Sequence, residues 1–478
     1  NQRSEIASLI FTSGTTGKPK AVQLTHTNFA SLTAGLAPIF PLGHRDAGLS
    51  VLPLHHTFEF TGGLLMGLQK GGRVTYLQEI NAEQLREGLK AGGVTAMVGV
   101  AALWQLLERR IRSEVQQRGV MWTALFDASL QLNRFLWKDL NINLGRTLFA
   151  SAHERMGGRI RVLISGGAAL PPQTQEFFQG LGFEMLQGYG LTEASPVIAV
   201  HRMGKWSQPG TVGTAVPGVE LKIDSPSQDG VGEILARGPT IMRGYEDNPE
   251  ATNATITPDG WLRTGDLGRL DNKGRLFVVG RAKEVIVSAS GENVYPDQVE
   301  GELEGVEGVS ELSVVGLPDG NGGEIVACLW VPRAPGEGES EGFIKARAER
   351  ALRDRMRSLS DNDRPKVLHA TTAPLPRTAT RKVRRSEVVA EIQRLEEART
   401  GGMTDAQVVE EGLGTRVRQA VAEALARPIA DVKLQSRLAA DLGVDSLART
   451  EILVALERLH GGPVDPDRVA QAEGVQDL

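Results

Sequence analysis

An α/β fold is what this sequence predicts, and three observations carry it. Over residues 1–280, apolar runs of strand length alternate with helical patterns. Two of those runs end in glycine-rich turns, at Gly14 and Gly17 and again at Gly166 and Gly167. Hydrophobic residues make up 41% of the 478 residues, enough to fill more than one core. Residues 281–398 read as a smaller α+β domain, 399–404 as a linker and 405–478 as an all-α bundle of four helices. The 53 basic and 58 acidic residues leave a net charge of -5, which argues against nucleic acid as the main partner. Cys328 is the only cysteine, so no internal disulfide can form and a cytoplasmic setting is the default expectation. No apolar run of about 18 residues and no signal-peptide pattern is visible.

The first element is an apolar run from Ile6 to Phe11, expected as a buried strand. It runs into Thr12, Ser13, Gly14, Thr15, Thr16, Gly17 and Lys18, where glycines permit close backbone approach, hydroxyls donate and the lysine adds charge. That composition suits a polyphosphate. The spacing is not that of a Walker loop, because two residues separate Gly14 from Gly17 and Pro19 follows Lys18. A plain Gly/Thr turn is the alternative. Lys20 to Leu24 reads as a strand, and Thr25 or Thr27 as the cap of a helix through Leu36. His55, His56 and Glu59 invite a metal reading, but adjacent histidines point in different directions, which makes joint ligation awkward. Gly62-Gly63 is expected to open an apolar helix to Leu68, Gly71 to Leu77 to form a strand, and Trp104 to Met156 to be helical.

Arg161 to Ile164 reads as a strand entering Ser165-Gly166-Gly167-Ala168, with Pro171-Pro172 suited to the first turn of a helix. Phe183 to Gln187 is another, ending in Gly188-Tyr189-Gly190-Leu191-Thr192-Glu193. Short strands follow Gly210–Gly218 through Arg237. Asp266, in Arg263-Thr264-Gly265-Asp266, is by itself an ordinary turn residue. From 297 to 398 the order reads helix, strand, strand, helix, strand, helix, ending near a basic run, Pro376–Arg385, whose default reading is a solvated face. Val408 to Ala426 is an amphipathic helix, and Leu438 to Leu447 leads into another through Leu459. There Asp445-Ser446 could be no more than an N-cap.

Taken in order, these motifs resemble the adenylate-forming superfamily: acyl-CoA synthetases, peptide-synthetase adenylation domains and luciferases. The helical stretch after the histidines resembles long-chain fatty acyl-CoA or acyl-carrier synthetases. Asp-Leu-Gly-Val-Asp-Ser-Leu near the end resembles an acyl carrier protein. The resemblance implies a partial large adenylate-forming domain over 1–280, because the family has a long segment before the phosphate loop; the chain is therefore expected to be the C-terminal portion of a longer protein or assembly. It implies ATP held by residues 12–18, adenine between Gly166-Gly167-Ala168 and Tyr189-Gly190, phosphate at Thr192, Mg2+ at Glu193, and ribose at Asp266 with Arg281 beside it. It makes Lys283 the hinge, Gly291 a lining of the thiol tunnel, Lys382 the catalytic lysine, and His55 and His56 borders of the acyl pocket. Arg381 stands where the family usually has Gly. Ser446 would carry 4′-phosphopantetheine attached by a phosphopantetheinyl transferase, with CoA as an alternative acceptor and an acyltransferase or synthase downstream. A fatty acid substrate and peripheral membrane contact go with the same likeness. Phe126-Asp127-Ala128-Ser129 matches a signature of amino-acid adenylation domains but falls in the wrong place, and is taken as coincidence.

Overall fold

The computed structural model describes residues 4–12, 19–77, 82–288, 292–319, 323–336, 339–377 and 383–400. Beyond these it describes 414, 417–422, 424–425, 431–438, 441–442, 444, 446–460, 464, 468–469, 472 and 474–478. The chain forms two compact units, Asn1–Lys283 and Glu284–Leu478.

In the first unit, β1 (Ile6–Thr12) and β2 (Lys20–Thr25) form an antiparallel hairpin with Thr12 opposite Lys20. The central sheet is built from β3 (Ala47–Ser50), β4 (Arg73–Tyr76), β5 (Ala96–Gly99), β6 (Val162–Ser165), β7 (Glu184–Gly190), β8 (Val197–Val200) and β9 (Thr214–Ala215). Its order is β4-β3-β5-β6-β7-β8-β9; the first five run parallel, β8 runs antiparallel to β7 and β9 antiparallel to β8. Parallel strands need cover on both faces, which is why these runs are almost wholly apolar. Val162, Leu163, Met185 and Leu186 are buried accordingly. One core gathers Trp104, Phe177, Phe178 and Phe183 on one side, and another Leu24, Leu32, Leu186 and Ile198. A four-stranded sheet in the order β10-β11-β13-β14 joins β10 (Glu220–Asp224), β11 (Gly232–Arg237), β13 (Leu262–Leu270) and β14 (Leu276–Arg281), while β12 (Gly244–Tyr245) adds to β2.

Three expectations are corrected here. The strand β1 forms, but it is not buried: Phe11 is 70% exposed, and Ile6 and Leu9 are also exposed. Apolar alternation identifies a strand without identifying what covers it. The segment around Gly62-Gly63 does not open a helix. The turn begins at Thr57 and Phe60–Leu65 is wound as a π-helix before Met66–Gln69. The helix Arg385–Thr400 runs two residues into the expected linker.

The helix His26–Leu36 is capped by Thr25, whose hydroxyl accepts from the Asn28 amide at 3.2 Å, as its sequence suggests. The helical stretch resolves into Ala101–Gln116, Val120–Leu140, Gly145–Leu148 and Ala150–Arg155.

The second unit has the element order read from its sequence: helix Pro296–Leu303, β17 (Val309–Pro318), β18 (Glu324–Pro332), helix Glu341–Met356, β19 (Val367–Ala370) and helix Arg385–Thr400. A small ladder of β15 (Ile286–Val287) and β16 (Asn293–Val294) precedes them. Cys328 lies fully buried in β18, where burial pushes its thiol up, so it is a core residue and not a nucleophile. Further along, Val421, Val432, Leu438, Ile452 and Leu456 form a separate apolar core.

Candidate active site

The parallel strands deliver their C-terminal ends to one edge of the sheet, where ligands of open α/β sheets bind. Ser165 at the end of β6 pairs with Gln187 of β7, so Gly166-Gly167-Ala168 leave the sheet beside Gly188-Tyr189-Gly190, which continue β7 and pair with β8. Gly167 takes φ 77°, open to glycine at little cost. A Cβ on Gly166 would meet the Phe58 ring at 3.0 Å, which places the histidine–aromatic segment against this turn. Gly190 is bare because the Pro196 carbonyl approaches its Cα directly.

Tyr189 donates its hydroxyl to Asp266 Oδ2 at 2.8 Å, and Arg281 Nε lies 3.1 Å from Asp266 Oδ1. Three residues expected in one site from separate motifs are thus in direct contact. Their strands explain it, since Asp266 of β13 and Arg281 of β14 are opposite in register. Burial, and then the neighbouring Asp266 charge, push the Tyr189 hydroxyl well above its ordinary value, so it stays a neutral donor.

Thr192 and Glu193 occupy a 3-10 turn, Thr192–Ala194, after β7. Glu193 Oε1 accepts from Tyr245 Oη at 2.8 Å. The sequence reading missed Tyr245; its partner lies 52 residues away, and the only local signal was an aromatic shortly before the Asn248-Pro249 helix start. Tyr245 also carries Lys20 Nζ over its ring, 4.9 Å from the centroid. Among the described residues no lysine or arginine pairs with Glu193, which leaves its charge for a cation, and no group of three or more metal-ligating side chains occurs. That donor set fits Mg2+ held by one carboxylate together with phosphate oxygens, and does not fit an all-protein cage.

His55 is exposed and His56 half-buried, their rings tilted with centroids 4.3 Å apart. Burial, then the charge of His55, lower the His56 value, favouring a neutral imidazole. Glu59, one turn on, is fully buried and has no hydrogen bond to either oxygen. Burial raises its carboxyl to about 7; the Ser50 hydroxyl and Leu52 amide pull the other way, short of hydrogen-bonding geometry, and are outweighed. Thr61 Oγ1 ties the same segment to the Ser195 carbonyl at 3.1 Å.

Thr12 closes β1 and donates to the Lys20 carbonyl at 3.4 Å. Ser13, Gly14, Thr15, Thr16, Gly17 and Lys18 lie outside the described residues, as do Gly291 and Lys382. Lys283 is exposed in the 3-10 turn Ala282–Glu284, and the division between the two units falls directly after it. Ser446 is the first residue of the helix Ser446–His460. Asp127, from the amino-acid-adenylation match, sits on the helix Val120–Leu140 and reaches Arg112 at 3.5 Å.

The fold and these contacts define a nucleotide-binding α/β protein. More particularly, the chain belongs to the AMP-binding enzyme family, whose profile matches residues 1–246. A phosphopantetheine attachment site profile matches 415–478. The chain is similar to long-chain-fatty-acid–CoA ligase 1 of Schizosaccharomyces pombe, 31% identical over 330 residues, covering 65% of this chain and 48% of that protein. It is also similar to a feruloyl-CoA synthase of Amycolatopsis, 29% identical over 334 residues, 69% of this chain and 60% of that one. Among solved structures, O-succinylbenzoate coenzyme A synthetase of Bacillus subtilis, in complex with ATP and magnesium ion, matches with TM-score 0.61 and 27% identity, over 81% of this chain and 70% of that one. The chain spans about half the length of the first fatty-acid ligases it matches.

Proposed function

We propose that this chain activates a long-chain fatty acid with ATP as the acyl-adenylate, releasing pyrophosphate, and passes the acyl group to a thiol. The observation that carries the reading is the contact of Tyr189, Asp266 and Arg281, with no lysine or arginine paired to Glu193 among the described residues. The similarity to fatty-acid ligases supports the choice of substrate. In this reading the fatty carboxylate attacks the α-phosphorus and the bond to pyrophosphate breaks. Asp266 accepts from the ribose hydroxyls, Tyr189 offers its face to adenine, and Thr192 and residues 12–18 grip phosphate oxygens. Glu193 would hold Mg2+, which would supply charge neutralisation there. Lys382 bridges carboxylate and α-phosphate, Lys283 is the pivot for a second conformation, and Gly291 then lines the thiol's approach. His55 and His56 border the acyl pocket. Phosphopantetheine on Ser446 provides the thiol, with CoA as the competing acceptor. A carrier tethered in the same chain reaches effective concentrations on the order of millimolar when geometry permits.

ATP–pyrophosphate exchange with a panel of fatty, aromatic and amino acids tests the first step. Fatty acids should be preferred, with exchange lost in Lys382→Ala; preference for amino acids would overturn the reading. Intact mass of the pantetheinylated chain with ATP and fatty acid, without CoA, tests the second. An acyl increment absent in Ser446→Ala supports transfer within the chain, and an unacylated carrier beside rapid acyl-CoA synthesis rejects it.

A further inference from the structure

Tyr245 meets Glu193 through one hydrogen bond, and the chain around it is tied down on three sides. Towards the turn Thr192–Ala194, Tyr245 Oη donates to Glu193 Oε1 at 2.8 Å, and the Met242 amide donates to the Glu193 carbonyl at 2.8 Å. The Ser195 hydroxyl adds a bond to the Thr240 carbonyl at 2.7 Å. Towards β2, Gly244 lies opposite Gln23 and Tyr245 opposite Val22. The Arg243 amide donates to the Gln23 carbonyl at 3.1 Å there, and the Glu246 amide to the Ala21 carbonyl at 2.9 Å. On the third side Thr252 Oγ1, from the helix Pro249–Thr255, accepts from the Tyr245 amide at 2.9 Å. Gly244 leaves room for that helix, since a Cβ there would meet Thr252 Cγ2 at 2.9 Å. The strand β12 is thus a fixed bridge between β2, which leaves the phosphate loop, and the carboxylate that fits Mg2+.

A glutamate left to itself samples many rotamers, and holding it in one costs up to ~2 kcal/mol of side-chain entropy. Mg2+ binds well only to oxygens in near-octahedral places, so a lone carboxylate serves it best when it is held beforehand. A phenol does this without cancelling the charge, whereas an arginine in the same place would compete with the metal. The cation that does come close, Lys20, stands over the Tyr245 ring at 4.9 Å from its centroid. Among the described residues no ion pair joins it to Glu193. We infer that Tyr245 is a positioning residue for the metal: its hydroxyl aims the Glu193 carboxylate, and its ring keeps the Lys20 ammonium from closing on that carboxylate. Tyr245 also packs in the core with Val22 and Leu24, so simple filling is the rival role.

This role rests on the ATP-activating reading, and its test reads the metal and not turnover alone. Mn2+ is the probe, its free ion counted by electron paramagnetic resonance as it is titrated into the full chain with ATP. Tyr245→Phe keeps the ring and the packing, and should weaken Mn2+ binding in the ATP complex by ~10-fold or more. Its melting temperature and its ATP affinity in EDTA should match wild type, and the Mg2+ concentration for half-maximal ATP–pyrophosphate exchange should rise while the rate recovers at saturating Mg2+. Tyr245→Leu, which lacks the ring as well, should weaken Mn2+ further, and Lys20→Met in that background should restore part of the loss. Unchanged Mn2+ affinity in Tyr245→Phe, or an equal loss of ATP affinity with and without metal, would overturn the proposal and leave the ATP reading standing. Failure of the wild-type chain to bind ATP at all would overturn both.

Discussion

Arg281 and Arg385 both meet carboxylates close to the turn Ala282–Glu284, yet one cluster is open and the other closed. Arg281 is 40% exposed and meets Asp266 Oδ1, while a neutral phenol, that of Tyr189, donates to Oδ2. Arg385 is 18% exposed and engages three carboxylates, Glu284, Asp297 and Glu300, the last at 2.8 Å. The guanidinium of Arg385 is engaged from within its own unit through both of its terminal nitrogens, while its buried Nε has no hydrogen-bond partner among the described residues. A pair whose arginine stays open to solvent suits ligand recognition, whereas a cluster of one largely buried cation and three anions holds backbone segments in place. Glu59 is the third case, a buried carboxyl with neither an arginine nor a hydrogen bond among the described residues.

The comparison can be broken most forcefully at Arg385. Arg385→Ala strands three carboxylates in a poorly hydrated site, and urea denaturation should register a loss of about 3–5 kcal/mol. A loss under about 1 kcal/mol would mean that the cluster behaves as an ordinary surface pair.

Glu59 sharpens the contrast through pH. With its carboxyl raised to about 7, the folded protein keeps a proton that the unfolded chain releases near pH 4.3. Its contribution to stability therefore falls as pH rises from about 4.3 to 7 and levels off above that. Relative to wild type, Glu59→Gln should be about equal near pH 4 and more stable by about 3–4 kcal/mol at pH 8. Thermal or urea unfolding across that range checks it, and a wild-type-minus-variant difference flat with pH would show Glu59 to be stabilised by contacts other than those described.

Asp266→Asn is the smallest of the three. It keeps the side-chain shape and should weaken ATP binding in calorimetry by roughly 10-fold while shifting the melting temperature little. A large drop in stability with unchanged ATP affinity would move Asp266 into the same class as Arg385.

Much of this was legible in the sequence wherever one element carried its own pattern. The six elements from Pro296 to Thr400 are in the order their periodicities give, because each is long enough to state its period and is punctuated by turns. Tyr189, Asp266 and Arg281 were legible one motif at a time, but their mutual contacts depend on strand register, which no single motif encodes. Tyr245 was missed for the same reason. The exposure of Phe11 was illegible because a strand reports which of its sides are apolar and not what lies against them. The π-helical winding of Phe60–Leu65 has no compositional marker beyond its glycines.

The crowding of Glu59 against Gly63 has an evolutionary consequence. A Cβ on Gly63 would fall on the Glu59 carboxylate oxygen, in a place where the glutamate is fully buried and has little room to swing aside. Lineages carrying glutamate at 59 are therefore confined to glycine at 63, and a larger residue at 63 becomes available only after 59 has shortened. The two positions should drift as an ordered pair, the fifty-ninth changing before the sixty-third, and Gly63→Ala should be tolerated far better in a Glu59→Ala background than alone.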